Sequence, residues 1–169
     1  MKQYNVIVIF DKNMSNTLMC KRTKEPYIGM YNLVGGKIEK DNDGLNEAYR
    51  ELVEETNISR DDTVLTHFMN LEYVEFNKKI EVYYGILNKD VELVEEINKL
   101  EWVDINDDFF DMTKYAGEGN IGHIIEKFNV VSFDNLSIKQ LDVRRLLTDE
   151  EWEEFFMGED SEFTFYIDL

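Results

Sequence analysis

The sequence predicts an α/β or α+β sandwich, a sheet packed against helices, and three observations carry that prediction. Runs rich in β-branched and aromatic residues recur along the chain at strand length. One segment, 44–56, switches to a helical period, with apolar residues on one side and acids on the other. A second helical segment, 120–128, lies far downstream with further strands between the two. Strands interleaved with separated helices bury their apolar faces by layering a sheet against helices.

Taken in order, "YNVIVIF" (4–10) reads as a buried strand, "DKNMSN" as a turn and "TLMCKR" (17–22) as the returning strand. Pro26 and Gly29 punctuate the loop that follows, and "YNLVGG" (31–36) is a short strand ending in two glycines. In the 44–56 helix, Leu45, Ala48, Tyr49, Leu52 and Val53 form one apolar stripe. Strands are expected over 63–76 and 79–87, joined by a hairpin turn at Asn77-Lys78, and over 100–105. The glycine-rich "GEGN" introduces the 120–128 helix. Beyond it, "VVSF" (130–133) reads as a strand, 137–147 and 148–156 as helices, and 162–169 as a last strand. Thr148 and Glu151 have the spacing of a capping box. Trp152, Phe155, Phe156, Phe163, Phe165 and Tyr166 are expected to pack on the core or on a partner subunit.

A chain of 169 residues with 43% apolar and 32% charged residues fits one globular domain spanning 1–169. No apolar run reaches bilayer length and the N-terminus lacks the signal-peptide pattern, so a cytoplasmic protein with no membrane partner is expected. Cys20 is the only cysteine, which excludes an internal disulfide and a cysteine-based metal site. With 36 acidic against 18 basic residues the net charge is −18, which repels nucleic-acid polymers. A small polyphosphate still binds such a protein if cations and a few local basic residues neutralise it. His67 and His123 are isolated, and neither is given a metal role.

The chemistry concentrates in "GGKIEKDNDGLNEAYRELVEETNI" (35–58). Glu51, Glu54 and Glu55 are related by i, i+3 and i+4 and share a helix face. Like charges at that spacing repel by a few tenths of a kcal/mol per pair, roughly, and a divalent cation reverses the sign. Oxygen-only ligands suit Mg²⁺ or Mn²⁺, which also accept substrate phosphates. Gly35 and Gly36 let the backbone turn tightly and approach a ligand, with Lys37 beside the turn and Arg50 inside the acidic cluster. A glycine turn feeding a carboxylate-bearing helix suits metal-assisted phosphoryl chemistry.

Gly36-x5-Asn42-x7-Arg50-Glu51-Leu52-Val53-Glu54-Glu55-Thr56-Asn57-Ile58 resembles the Nudix box, written G-x5-E-x7-R-E-U-x-E-E-x-G-U with U aliphatic. Every spacing matches, and every defined position agrees except Asn42 and Asn57. The resemblance implies the Nudix α/β/α sandwich, with a mixed β-sheet between helices through about residue 128. Residues 129–169 form an extension that the motif does not cover. It also implies a nucleoside polyphosphate substrate, Mg²⁺ (or Mn²⁺) held at Gly36, Glu51, Glu54 and Glu55, and hydrolysis by an activated water. Arg50, Glu51, Glu54 and Glu96 are the expected catalytic residues. Glu96, six residues before Trp102, stands where MutT-like members place a further loop glutamate, with Glu95 and Glu101 as neighbours.

The two departures differ in weight. Asn57 falls where the family has a glycine just past its helix, a left-handed position that Asn tolerates. Asn42 removes a loop glutamate that helps organise the arginine, so Glu39, Asp43 or Glu47 is expected to partner Arg50. Turnover is therefore expected, with the rate dependent on that loop.

Substrate indications lie outside the box. "MYNLVGGK" resembles the W-N-x-x-G-G-K segment of enzymes that hydrolyse oxidised purine nucleoside triphosphates, with Tyr31 in place of tryptophan. By that resemblance Asn32, Arg22, Lys37 and Asn120 bind substrate, and 8-oxo-dGTP is the favoured nucleotide. Asn32 alternatively bonds backbone at a strand end, and Asn120 alternatively caps a helix. ADP-ribose enzymes carry a proline downstream of the box, and Pro26 is the only proline here. The coenzyme A signature is absent, and the net charge disfavours RNA decapping. Tyr73 lies near the tyrosine of diadenosine polyphosphate enzymes, although a half-buried strand position explains it as well. A different class, a nucleotide-sensing binding module with weak catalysis, is opposed by the intact Arg50, Glu51, Glu54 and Glu55. A monomer or homodimer is expected.

Overall fold

The computed structural model describes residues 1–39 and 43–137, with side chains described as far as 128. The chain divides into two compact units, Met1–Ile124 and Ile125–Leu169. The first holds a six-stranded mixed sheet, helix α1 (Gly44–Thr56) and the start of α2 (Asn120–Ser137).

Strand β1 (Lys2–Phe10) is the axis of the sheet. Ile7, Val8, Ile9 and Phe10 are all buried, as a strand covered on both faces requires. It runs parallel to β5 (Lys78–Ile86) from Lys2 opposite Lys78 to Phe10 opposite Ile86. Strand β2 (Asn16–Lys21) meets β1 only at Phe10 and Thr17, then pairs antiparallel with both β3 (Tyr31–Asn32) and β6 (Lys99–Asp104). Edge strand β4 (Thr66–Tyr73) pairs antiparallel with β5 across a bulge at His67–Met69. The mixed sheet with helices agrees with the predicted sandwich.

The expected strand 31–36 divides in two. After Asn32 the chain leaves β2 and crosses to β1, where Val34 bridges Ile7 and Lys37 bridges Tyr4. Gly35 makes that crossing possible: its φ is 142°, and a Cβ there would lie 2.4 Å from the Asn5 carbonyl oxygen.

Helix α1 has the predicted bounds but a different roll. Ala48, Tyr49, Leu52 and Thr56 are buried, whereas Leu45 and Val53 are 41% and 43% exposed. Glu47 occupies part of the buried face, which it can do because Arg50 neutralises it. The helix ends as expected, with Asn57 left-handed (φ 64°) and its N–H donated to the Val53 carbonyl.

Two further expectations are corrected. The β4–β5 connection is a 3₁₀ turn, Val74–Phe76, closed by left-handed Asn77, and Lys78 already belongs to β5. Residues 130–133 are helical, because α2 continues to Ser137 and its hydrogen-bond ladder overrides the β preference of the paired valines. The expected helices at 137–147 and 148–156, the 162–169 strand and Asn42 lie outside the described residues, apart from Ser137 itself.

Candidate active site

The site begins with a two-point grip of β1 on the glycine turn. Asn5 donates its backbone N–H to the Gly36 carbonyl (2.9 Å), and its Oδ1 accepts the Gly36 N–H (3.1 Å). Asn5 is 1% exposed, and its Nδ2 has no hydrogen-bond partner among the described residues. The sequence reading missed it as an amide inside an otherwise apolar run. The available signal was that a polar side chain buried in a strand requires a specific partner.

The turn is pressed against α1. The Gly35 N–H donates to Glu55 Oε2 (3.1 Å), and a Cβ at Gly36 would sit 2.3 Å from the Glu51 carboxylate carbon. Gly36 is therefore a glycine because Glu51 fills the space above it.

Arg50 organises the other carboxylates. Its Nη2 lies 2.9 Å from Glu47 and 2.6 Å from Glu51, and its Nη1 lies 2.8 Å from Glu54. Of the three partners expected for Arg50, Glu47 is the one that binds it, and Glu47 also accepts the Glu39 N–H at 3.4 Å. The Glu47 hydrogen bond, with the Glu51 charge, pushes the Arg50 pKa further up and fixes the guanidinium as a cation.

Glu51 and Glu55 are held differently. Burial pushes the Glu51 carboxyl up, with the Glu54 and Glu47 charges adding and Arg50 opposing. Burial pushes Glu55 up to about 7; the Glu51 and Glu96 charges add to this, while the Gly35 N–H and Arg22 oppose it. Among the three candidate loop acids, Glu96 alone has no hydrogen bond or ion pair among the described residues, and it lines a small crevice with Glu55 and Cys20. Glu95 is engaged by the Leu100 N–H, and Glu101 by Tyr31 and Lys99. The Tyr31–Glu101 bond also shows what the tyrosine does in place of tryptophan.

The remaining residues divide. Arg22 acts on Glu55 electrostatically while its Nε donates to the Pro26 carbonyl (2.9 Å). Asn32 and Asn120 come together on a second cavity, of about 140 Å³. Asn32 bonds backbone as the alternative expected, its Oδ1 accepting the Leu33 N–H (3.0 Å), yet it still lines that cavity. Asn120 interacts electrostatically with half-buried Tyr73, whose hydroxyl is pushed up chiefly by burial. Lys37 is exposed and makes no ion pair among the described residues.

A divalent cation fits this donor set. All donors are oxygen, and the Glu51 and Glu55 carboxyls are both shifted toward protonation by burial and by neighbouring carboxylate charges, which a cation relieves. No group of three or more His, Cys, Asp or Glu side chains is gathered at metal-binding distance among the described residues. Arg50 occupies Glu54 and one oxygen of Glu51.

Residues 1–121 match the model of the NUDIX domain. This chain belongs to the Nudix family. It stands among the Nudix pyrophosphohydrolases, enzymes that generally use divalent metal ions. Solved structures share the fold at low identity. A MutT studied from Aliivibrio salmonicida and Vibrio cholerae is 20% identical (TM-score 0.56; 75% of this chain, 98% of that one). A C. elegans Ap4A hydrolase binary complex is 19% identical (TM-score 0.62; 78% and 97%). The NUDIX domain of Shewanella oneidensis NrtR, complexed with ADP ribose, is 15% identical (TM-score 0.58; 75% and 85%). No curated protein sequence matches this chain.

Proposed function

We propose that this Nudix enzyme is a Mg²⁺-dependent diphosphohydrolase that cleaves a nucleoside polyphosphate to the nucleoside monophosphate and pyrophosphate. An oxidised purine nucleotide such as 8-oxo-dGTP is the favoured substrate. The observation that carries this reading is the pair of half-buried carboxylates, Glu51 and Glu55, packed on the Gly35–Gly36 turn with Glu96 alongside.

Gly36, Glu51, Glu54 and Glu55 would hold the cation, which supplies charge neutralisation at the phosphates and a more acidic water. The chain's own groups do the rest. Arg50 fixes the spacing of Glu47, Glu51 and Glu54, and Asn5 fixes the turn that faces them. Glu96 takes the proton as the water oxygen bonds to phosphorus, and the bridging P–O bond breaks toward pyrophosphate. Arg22 and Lys37 offset phosphate charge, while Asn32 and Asn120 orient the base.

The test is product identification with purified protein and Mg²⁺ against 8-oxo-dGTP, dGTP, dCTP, ADP-ribose and diadenosine tetraphosphate. Monophosphate and pyrophosphate, formed fastest from 8-oxo-dGTP, is the expected result. Equal rates on 8-oxo-dGTP and dGTP would remove the sanitising role and leave the hydrolase. Tight binding without turnover on every compound would make the chain a nucleotide sensor.

A further inference from the structure

Two polar side chains stand next to each other on the sheet beneath the site. Asn5 on β1 lies opposite Glu81 on β5, and partners in register project from the same face. Asn5 grips Gly36. Glu81 meets the other end of the same loop. A Cβ at Gly44, the first residue of α1, would lie 2.0 Å from Glu81 Oε2 and 2.7 Å from the Tyr83 hydroxyl oxygen.

Glu81 is not free to swing aside. Tyr83, itself buried, donates its hydroxyl to Glu81 Oε2 (2.7 Å), and Lys79 Nζ donates to Oε1 (3.1 Å). Burial pushes the Glu81 carboxyl up, but these two bonds outweigh it and hold the pKa below its ordinary value, so the group beneath α1 is an anion. A helix start favours an anion, because the unpaired N–H groups of the first turn carry partial positive charge. Asp43, at the N-cap, makes no side-chain cap bond and accepts from the Asn46 side chain instead. Gly36 and Gly44 are thus glycines for matching reasons: a carboxylate fills the space at each.

These two anchors bracket the loop, and the carboxylate face follows directly from the second. Glu47, in the first turn of α1, holds Arg50, which in turn holds Glu51 and Glu54. A helix moves as a unit, so a shift of its first turn carries all four groups with it. Resting on the hydrolase reading above, we propose that Glu81 is a positioning residue for the reaction. With Asn5 it sets the gap between the glycine turn and α1 in which Glu51 and Glu55 lie.

The test compares Glu81→Ala, Gly44→Ala and the double variant with the wild type, each checked for folding by circular dichroism. Steady-state kinetics with Mg²⁺ use the best substrate of the panel above, and Mn²⁺ affinity is read by electron paramagnetic resonance. Each single change is expected to lower kcat by roughly 10- to 100-fold with KM within about threefold, and to weaken Mn²⁺ binding in parallel. Once the Glu81 side chain is gone a Cβ at 44 has room, so the double variant is expected within about twofold of Glu81→Ala. Glu81→Gln, which keeps the shape and the Tyr83 bond, is expected to lie between Glu81→Ala and the wild type. Wild-type kcat and Mn²⁺ affinity in Gly44→Ala, or losses that multiply in the double variant, overturn the assignment. So does a lower urea midpoint in Glu81→Ala with kcat unchanged. If the wild type turns over no nucleotide, the hydrolase reading falls, and Mn²⁺ affinity then decides alone: a parallel loss in both single variants keeps Glu81 in its role, and an unchanged affinity removes it.

Discussion

The carboxylate face of α1 and the cavity beside Asn32 lie on opposite faces of one sheet, since Asn5 and Val6 are successive residues of β1. Their construction differs. The first is written within a single helix and the turn that meets it, so its spacings are local and survive translation into three dimensions. The second draws Val6 from β1, Tyr27 from a loop, Asn32 from β3, Lys78 from β5 and Glu118 from the turn before α2. One end is fixed by helical geometry, the other by how distant segments cross. On the proposed function, the chemistry falls at the end fixed by helical geometry and base recognition at the end assembled from loops.

The sharpest way to separate the two ends is to damage one and read the other. Glu54→Gln is expected to lower kcat by roughly 10²- to 10⁴-fold while leaving monophosphate binding at the cavity unchanged. Glu54 is half exposed and its pair with Arg50 is an i,i+4 surface contact, so unfolding stability should move by no more than about 0.5 kcal/mol. Full turnover in that variant would remove Glu54 from the chemistry.

A smaller effect is expected from the grip beneath the turn. Asn5→Leu deprives the part-buried Gly36 N–H of its acceptor, at a cost of about 1–3 kcal/mol, read as a lower urea midpoint with unchanged slope. An unchanged midpoint would show that the Gly36 N–H finds another partner.

Away from both ends, Asp62 supplies a pH test. Lys89, followed by the Ser59 hydroxyl and N–H, holds its pKa down to about 2, below its ordinary 3.8. Because the folded value is depressed, its contribution to stability is present above pH 3.8 and lost as pH falls through about 2. Asp62→Asn should therefore flatten the stability profile in that acid window and leave the alkaline side alone. An acid limb identical to the wild type would contradict the assignment.

The least effect is expected at Asn57→Gly. Relief of left-handed strain is offset by greater freedom of the unfolded chain, so stability should change by less than about 1 kcal/mol and turnover should not change. A large loss of activity would mean that Asn57 does more than end the helix.

The contrast also explains what was legible in the sequence. The bounds of α1, the left-handed Asn57 and the family membership follow from local spacing. The roll of α1 was not legible, because it depends on Arg50 making Glu47 acceptable in the interior at the expense of Leu45 and Val53. Asn5 was hidden because its partner, Gly36, lies 31 residues away. Glu81 was hidden for the same reason, since the Gly44 it meets belongs to a different element. Where two valines at 130–131 suggested a strand, the continuing ladder of α2 decided otherwise.

The central claim is that the Glu51–Glu55 face binds a divalent cation. Mn²⁺ titration followed by electron paramagnetic resonance, on the wild type and on Glu55→Gln with folding checked by circular dichroism, tests it directly. The account predicts saturable Mn²⁺ binding that weakens by roughly tenfold or more in the variant. Equal affinity in the two proteins, or no saturable binding in the wild type, would contradict it.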